Sequence, residues 1–234
     1  MLEYLAGGTL VDALHGSATG TAPLSWAQRM RILHDVACAL EHLHDGGGGT
    51  STAVVHGDVS ASNVLLDGAT GGGARLCELG SACEGFSAAV APARAPVAVG
   101  SPGYADPFFL RTGIVSSKSD VYGFGVLLLE VVTGLPAAGG GAASEIENLT
   151  ARILPRVRAR GVAGLVDARL GEGGYDEEEA ADVARLAVEC VAAQPGLRPS
   201  MAQVRAAIAE KAARSIAKAG YGHHIQLSKL LELT

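Results

Sequence analysis

Residues 54–68 read VVHGDVSASNVLLDG. Two β-branched residues, Val54 and Val55, lead into His56-Gly57-Asp58. Asn63 follows five positions after the aspartate, and a second apolar run, residues 64–66, then enters a Gly-rich turn. Short apolar runs bounded by turn residues read as strands, which places Asp58 and Asn63 on a short loop between ordered elements. Polar side chains on a loop with rigid flanks are positioned for binding or chemistry. Upstream, Ser25 and Gln28 stand three residues apart, so the hydroxyl can cap a helix and the amide can reach back. Trp26, Met30, Leu33, Val36, Ala37, Leu40 and Leu43 follow at spacings of three and four. They predict an amphipathic helix of about five turns, stopped by Gly46–Gly49. Downstream, residues 64–66 and 74–77 flank DGATGGG and predict a hairpin.

Farther out, residues 1–15 read as an extended piece followed by a helical turn, and residues 81–99 as a long Ala-, Pro- and Ser-rich surface loop. Residues 119–132 are apolar nearly all round, the mark of a buried central helix. Ser144 with Glu147 signals another capped helix, disturbed at Pro155, and Asp176 with Glu179 opens one whose inner face carries Val183, Leu186, Ala187, Cys190 and Val191. Pro199-Ser200 starts a last helix reaching about Arg214. The three Gly runs lack the Lys and spacing of a phosphate-binding loop and read as surface turns.

Bulk composition bounds the rest. With 234 residues, 48% apolar and 18% charged, the chain suits one globular domain. A net charge of −6 weighs against a nucleic-acid binder. Cys38, Cys77, Cys83 and Cys190 form no C-x-x-C pair, and Cys38 and Cys190 fall on apolar helical faces as buried thiols, which fits a cytoplasmic setting. The start MLEYLAGG has no basic residue and no signal-peptide pattern. The most apolar stretch, VYGFGVLLLEVVTG, has 14 residues with Glu130 among them, too short to span a bilayer. The reading is a cytoplasmic protein that reaches the inner face of the plasma membrane only through partners or residues upstream. His34, His42 and His44 do not share a helix face and are not read as a metal cluster.

A carboxylate and an amide five residues apart on a rigid loop, with another acid just past the hairpin, match a phosphoryl-transfer arrangement. Asp58 and Glu78 as a hydrolase carboxylate pair is the competing reading; it leaves the surrounding motifs without a reason to exist. The sequence resembles the eukaryotic protein-kinase family, specifically the plant receptor-like kinases and their cytoplasmic relatives, over roughly residues 1–212, with 213–234 as a tail. MLEYLAGGTLVDALHG resembles the segment between the two lobes, His56-Gly57-Asp58 through Asn63 the catalytic loop, and CELG (77–80) the Asp-Phe-Gly metal motif. GSPGYADP (100–107) resembles the loop that receives the substrate, SDVYGFGVLLLEVVTG the central helix, and RPSM (198–201) the start of the final helix. The resemblance implies a mainly α fold, the C-terminal large lobe of a protein kinase, with a small β-hairpin near the catalytic loop and no N-terminal β-rich lobe within this chain. It implies ATP and Mg²⁺ as cofactors, with Glu3, Tyr4, Leu5 and Leu65 on the nucleotide. Asp58 would be the proton acceptor, and Asn63 and Glu78 the metal ligands. His56, Asp120 and Arg198 would be structural, with Asp120 accepting hydrogen bonds from the catalytic-loop backbone. Ser101, Gly103 and Tyr104 would line the substrate loop, and a protein substrate or partner, including another kinase, is implied.

The departures bear most on function. The Gly-rich loop, strand lysine and helix glutamate of the small lobe are not in the sequence, so this chain is expected to hold half a nucleotide pocket. Gly57 replaces the arginine that would pair with a phosphorylated loop, removing a mode of regulation rather than the chemistry. Ser60 replaces a lysine facing the transferring phosphate; one such donor is worth about 3 kcal/mol. Glu78 replaces the metal-binding aspartate, and its extra methylene shifts the carboxylate by about 1.5 Å. Leu79 replaces a phenylalanine, a mild exchange. Phe108 stands where the family has the glutamate that pairs with Arg198, which leaves Arg198 either turned to solvent or facing another acid. Stranding one partner of a buried pair costs about 3–5 kcal/mol. The expected function is a pseudokinase, a signalling module that binds protein partners on a kinase scaffold. The alternative is a piece of a longer, weakly active Ser/Thr kinase.

Overall fold

The computed structural model describes residues 5–16, 22–49, 52–68, 73–84, 100–139, 148–161 and 164–219. Thr9 accepts the Asp12 amide and starts helix α1 (Leu10–His15). The predicted amphipathic helix is α2 (Trp26–His44), opened by a reciprocal capping box between Ser25 and Gln28. It ends at Asp45, and the glycines beyond form a single turn, α3 (Gly46–Gly49). Strand β1 (Val54–Val55) leads into the quoted loop, a 3-10 turn covers Ala61–Asn63, and β2 (Val64–Asp67) pairs antiparallel with β3 (Gly73–Leu76). A second two-stranded ribbon joins β1 to β4 (Cys83–Glu84). Two-residue strands carry no periodicity, so this pairing has no signature in the sequence. The segment before α1 lies against β2: the Leu66 amide donates to the Gly8 carbonyl at 2.9 Å, and a Cβ on Gly7 would fall 2.3 Å from the Leu66 carbonyl oxygen. Only glycine allows that approach.

Helix α4 (Pro107–Thr112) precedes the central α5 (Ser117–Thr133), whose residues from Asp120 onward are all buried. Helix α6 (Leu149–Arg160) starts at Asn148; the expected Ser144–Glu147 cap lies outside the described residues. The disturbance expected at Pro155 does not interrupt α6, which continues to Arg160 with the proline on an exposed face. Helix α7 (Glu177–Cys190) packs on α5 so closely that a Cβ on Gly125 would lie 2.6 Å from Cys190 Cβ. The last predicted helix is two: α8 (Met201–Lys211), with its own Ser200–Gln203 capping box, and α9 (Ala213–Lys218), which packs on α2. The described residues are thus mainly α with two short ribbons. Cys190 is buried, but Cys38 is only half-buried, against the expectation for its helix face.

Buried charges tie the helices together. Arg29, with 0% of its side chain exposed, donates to the carbonyls of Leu24 and Val131 and to Asp167. Trp26 Nε1 donates to the buried Glu179, which also accepts the Ser215 hydroxyl and so links α2, α7 and α9. Among the described residues, no helix is long and apolar enough to cross a membrane.

Burial alone would raise the Asp167 carboxyl, but hydrogen bonds from Arg169 and Arg29 outweigh it and hold the group at about 2, below its ordinary 3.8. A depressed folded pKa contributes stability that is complete above the unfolded value and is lost as pH falls through the folded one. Urea unfolding is therefore expected to show a loss of about 2 kcal/mol from this group between about pH 5 and pH 2. Asp167→Asn should flatten that limb of the profile while lowering stability at neutral pH.

Candidate active site

Asp120, 2% exposed in the first turn of α5, fixes the quoted loop. Its Oδ2 accepts the His56 amide at 2.8 Å and its Oδ1 the Gly57 amide at 2.9 Å, while His44 Nε2 lies 2.8 Å from Oδ2. The His56 ring, fully buried, accepts the Asp58 amide at Nδ1 and lies 2.9 Å from the Cys77 carbonyl at Nε2. An amide only donates and a carbonyl only accepts, so the proton is on Nε2. Gly57 has φ +80°, and a Cβ there would meet the Ser81 carbonyl oxygen at 2.6 Å. The glycine between histidine and aspartate is what lets the backbone turn tightly enough for both amides to reach Asp120.

Asp58 is held from two sides. Its Oδ1 accepts the Ser101 amide at 2.7 Å, and its Oδ2 accepts Asn63 Nδ2 at 2.9 Å. The same nitrogen donates to the Asp58 carbonyl at 2.8 Å, which leaves the Asn63 side-chain oxygen as its unused acceptor. Ser60 is fully buried, and its hydroxyl accepts that of Ser101 at 3.0 Å. Tyr104 accepts the Ala61 amide and donates to the buried Glu130; burial beside that carboxylate raises the phenol well above its ordinary pKa. Gly103, at φ +89°, lies against Ala137, where a Cβ would stand 2.5 Å from the carbonyl oxygen. A small pocket between these loops is lined by Asp58, Ser101, Tyr104 and Phe109.

Glu78 has φ +64°, the one positive value at a non-glycine among the described residues. Such outliers cost of order 1–3 kcal/mol and gather at functional sites. Its side chain is exposed, as are Gly80 and Leu79, the latter at 56%. Asn63 and Glu78 offer hard oxygen donors of the kind Mg²⁺ takes when phosphates complete its shell. Among the described residues, no group of three or more His, Cys, Asp or Glu could hold a metal by itself. Leu65 is half-buried on β2, bridged to Thr9, and Leu5 is half-buried nearby in the chain; Glu3 and Tyr4 lie outside the described residues.

Arg198 faces another acid. Its Nη1 and Nη2 reach Asp106 Oδ2 and Oδ1 at 2.7 and 2.8 Å, with 0% and 1% of the two side chains exposed. The remaining guanidinium bonds go to the carbonyls of Ala192 and Lys118. Asp106 stands two residues before Phe108, and its pairing with Arg198 depends on a backbone direction that has no sequence signature.

A protein kinase domain profile matches residues 1–207. The chain belongs to the protein kinase family. Its relatives are plant receptor-like kinases. It is 48% identical over 215 residues to the salt tolerance receptor-like cytoplasmic kinase 1 of Oryza sativa subsp. japonica, covering 90% of this chain and 57% of that protein. A probable receptor-like protein kinase of Arabidopsis thaliana is 36% identical over 217 residues, 87% of this chain and 61% of its own length. A probable serine/threonine-protein kinase of the same plant, PBL18, is 35% identical over 203 residues, 86% and 49% of the two chains. The kinase-family chain thus spans about half to three-fifths of the length of these curated relatives.

Gly57→Ala is expected to destabilise this kinase-family chain by about 1–3 kcal/mol, from the strained φ and the contact with Ser81. Gly80→Ala, with nothing within 4 Å of the added carbon, should stay within about 0.5 kcal/mol. Thermal unfolding of the two variants side by side checks the contrast.

Proposed function

We propose that this chain is a pseudokinase module: the large lobe of a receptor-like Ser/Thr kinase scaffold that binds a protein partner in signalling and does not itself transfer phosphate. The observation that carries this reading is Ser60. At the position where the family resemblance puts a cation on the transferring phosphate, there is a neutral hydroxyl with 0% exposure, its hydrogen bond taken by Ser101. A buried hydroxyl cannot neutralise charge developing on a phosphoryl group, and electrostatic stabilisation together with positioning is nearly the whole of catalysis in this chemistry. Glu78, lengthened and solvent-exposed, supports the same direction. In this reading His56, Asp120 and Arg198 maintain the scaffold, and Ser101, Gly103 and Tyr104 shape the surface a protein partner meets. Partners are a protein substrate or another kinase, met in the cytoplasm, a setting supported by the word cytoplasmic in the rice relative's name.

A second reading is a longer Ser/Thr kinase of weak activity, with Asp58 as proton acceptor, Asn63 and Glu78 on Mg²⁺, and Leu5 and Leu65 near the adenine of ATP. The hydrogen bonds that hold Asp58 between Asn63 and Ser101 favour it.

Thermal shift with Mg²⁺·ATP or Mn²⁺·ATP separates the two. A ligand at a hundred times its Kd adds about 2.7 kcal/mol, or roughly 5–10 °C for a chain of this size. The first reading expects no shift at millimolar nucleotide. A metal-dependent rise that Asn63→Ala abolishes would overturn it in favour of the second.

A further inference from the structure

Arg198 is buried and needs a carboxylate, yet position 108, which the family resemblance assigns to it, is phenylalanine. We infer that Asp106 has taken over this work and is the positioning residue of the substrate loop. Its backbone is extended (φ −64°, ψ 119°) at the N-cap of α4, which turns the short side chain back toward the helix start. There Oδ1 accepts the Phe108 amide at 2.9 Å together with one prong of the guanidinium. Oδ2 accepts the other prong and the Ser119 hydroxyl, the latter at 3.3 Å. A planar fork against a carboxylate is the strongest geometry available to this pair, and each oxygen is further satisfied by a neutral donor.

The pair ends a loop that is pinned in three places. Asp58 holds the Ser101 amide, Glu130 and the Ala61 amide hold the Tyr104 hydroxyl, and Arg198 holds Asp106. Arg198 itself is fastened to the carbonyls of Ala192 and Lys118, so the third pin connects the loop to the junction of α5, α7 and α8. Without the Asp106 carboxylate, the loop loses its C-terminal attachment and a buried cation is left unpaired. The exchange also releases position 108 from the core: Phe108 is half-buried, with the Arg111 guanidinium 5.8 Å from its ring centroid. None of this depends on whether phosphate is transferred.

A mutant cycle in the full 234-residue chain tests the exchange, read by melting temperature and by amide hydrogen exchange. Asp106→Ala is expected to lower Tm by about 10 °C. It should also speed exchange at the Ser101 and Tyr104 amides well beyond the change at core amides such as Leu33 and Leu128. Adding Phe108→Glu to that variant should recover at least half of both losses, because the carboxylate returns to the position the family uses. Phe108→Glu alone should bring no gain, since Arg198 is already paired. Where Asp106→Ala does not fold, Asp106→Asn, which keeps the shape and one acceptor oxygen, takes its place in the cycle. An unchanged Tm in the single variant, Ser101 exchange that merely follows the core, a double variant no better than the single, or a stabilising Phe108→Glu would each overturn the assignment.

Discussion

The two oxygens of Asp120 hold three donors: the backbone amides of His56 and Gly57 and the His44 ring. A carboxylate with 2% exposure is tolerable only when such donors replace its lost water, and its place in the first turn of α5 adds the favourable field of a helix N-terminus. Because α5 is buried from this residue onward, whatever hangs from Asp120 is attached to the core of the described residues. The quoted loop hangs from it. The Gly57 turn follows from that attachment, and beside it the Asp58 amide and the Cys77 carbonyl fix the His56 tautomer. Ser101 and Asn63 then complete the hold on Asp58.

The site divides by the kind of interaction retained. Groups that satisfy buried backbone or buried charge are in place: His56 on Cys77, Asp120 on the loop, Arg198 on Asp106, Tyr104 on Glu130. Losing any of these would leave a desolvated donor or charge, a penalty the fold itself would feel. The groups that differ are those whose work, by the family resemblance, lies in charge facing a phosphate. Ser60 has withdrawn into the core, and Glu78 points to solvent at a strained φ. Folding does not require either of them to carry charge at the reacting centre. In the proposed pseudokinase reading the fold is kept by one set of constraints and the chemistry by another, and the substitutions at Ser60 and Glu78 fall on the second.

Much of this could be read from the residues. The Ser25–Gln28 capping box, the three-and-four spacing of α2, the β2–β3 hairpin and the all-round apolar α5 each follow from local pattern, because one helix face or one turn decides them. The relation of Asp120 to the catalytic loop was legible only through the family resemblance, since the two are some sixty residues apart in the chain. The substitution at 108 is visible in the sequence, whereas the replacement of its carboxylate by Asp106 depends on a backbone direction that sequence does not carry. The β1–β4 pair and the break between α8 and α9 were not legible either: two-residue strands have no period, and Ala212 is an ordinary helix former at which the chain leaves the helix. The αL conformation of Glu78 likewise has no signature, because glutamate is not a residue that favours it.

In the proposed reading the scaffold persists without the chemistry. That reading is tested most directly by the transfer of labelled γ-phosphate by the native full-length product, captured from its own cells and assayed with a generic protein acceptor beside its Asp58→Ala variant. The account predicts incorporation from the native protein no greater than from the variant. Incorporation that requires Mg²⁺ or Mn²⁺ and disappears with Asp58 would contradict it, and would make Ser60 and Glu78 working parts of an active kinase.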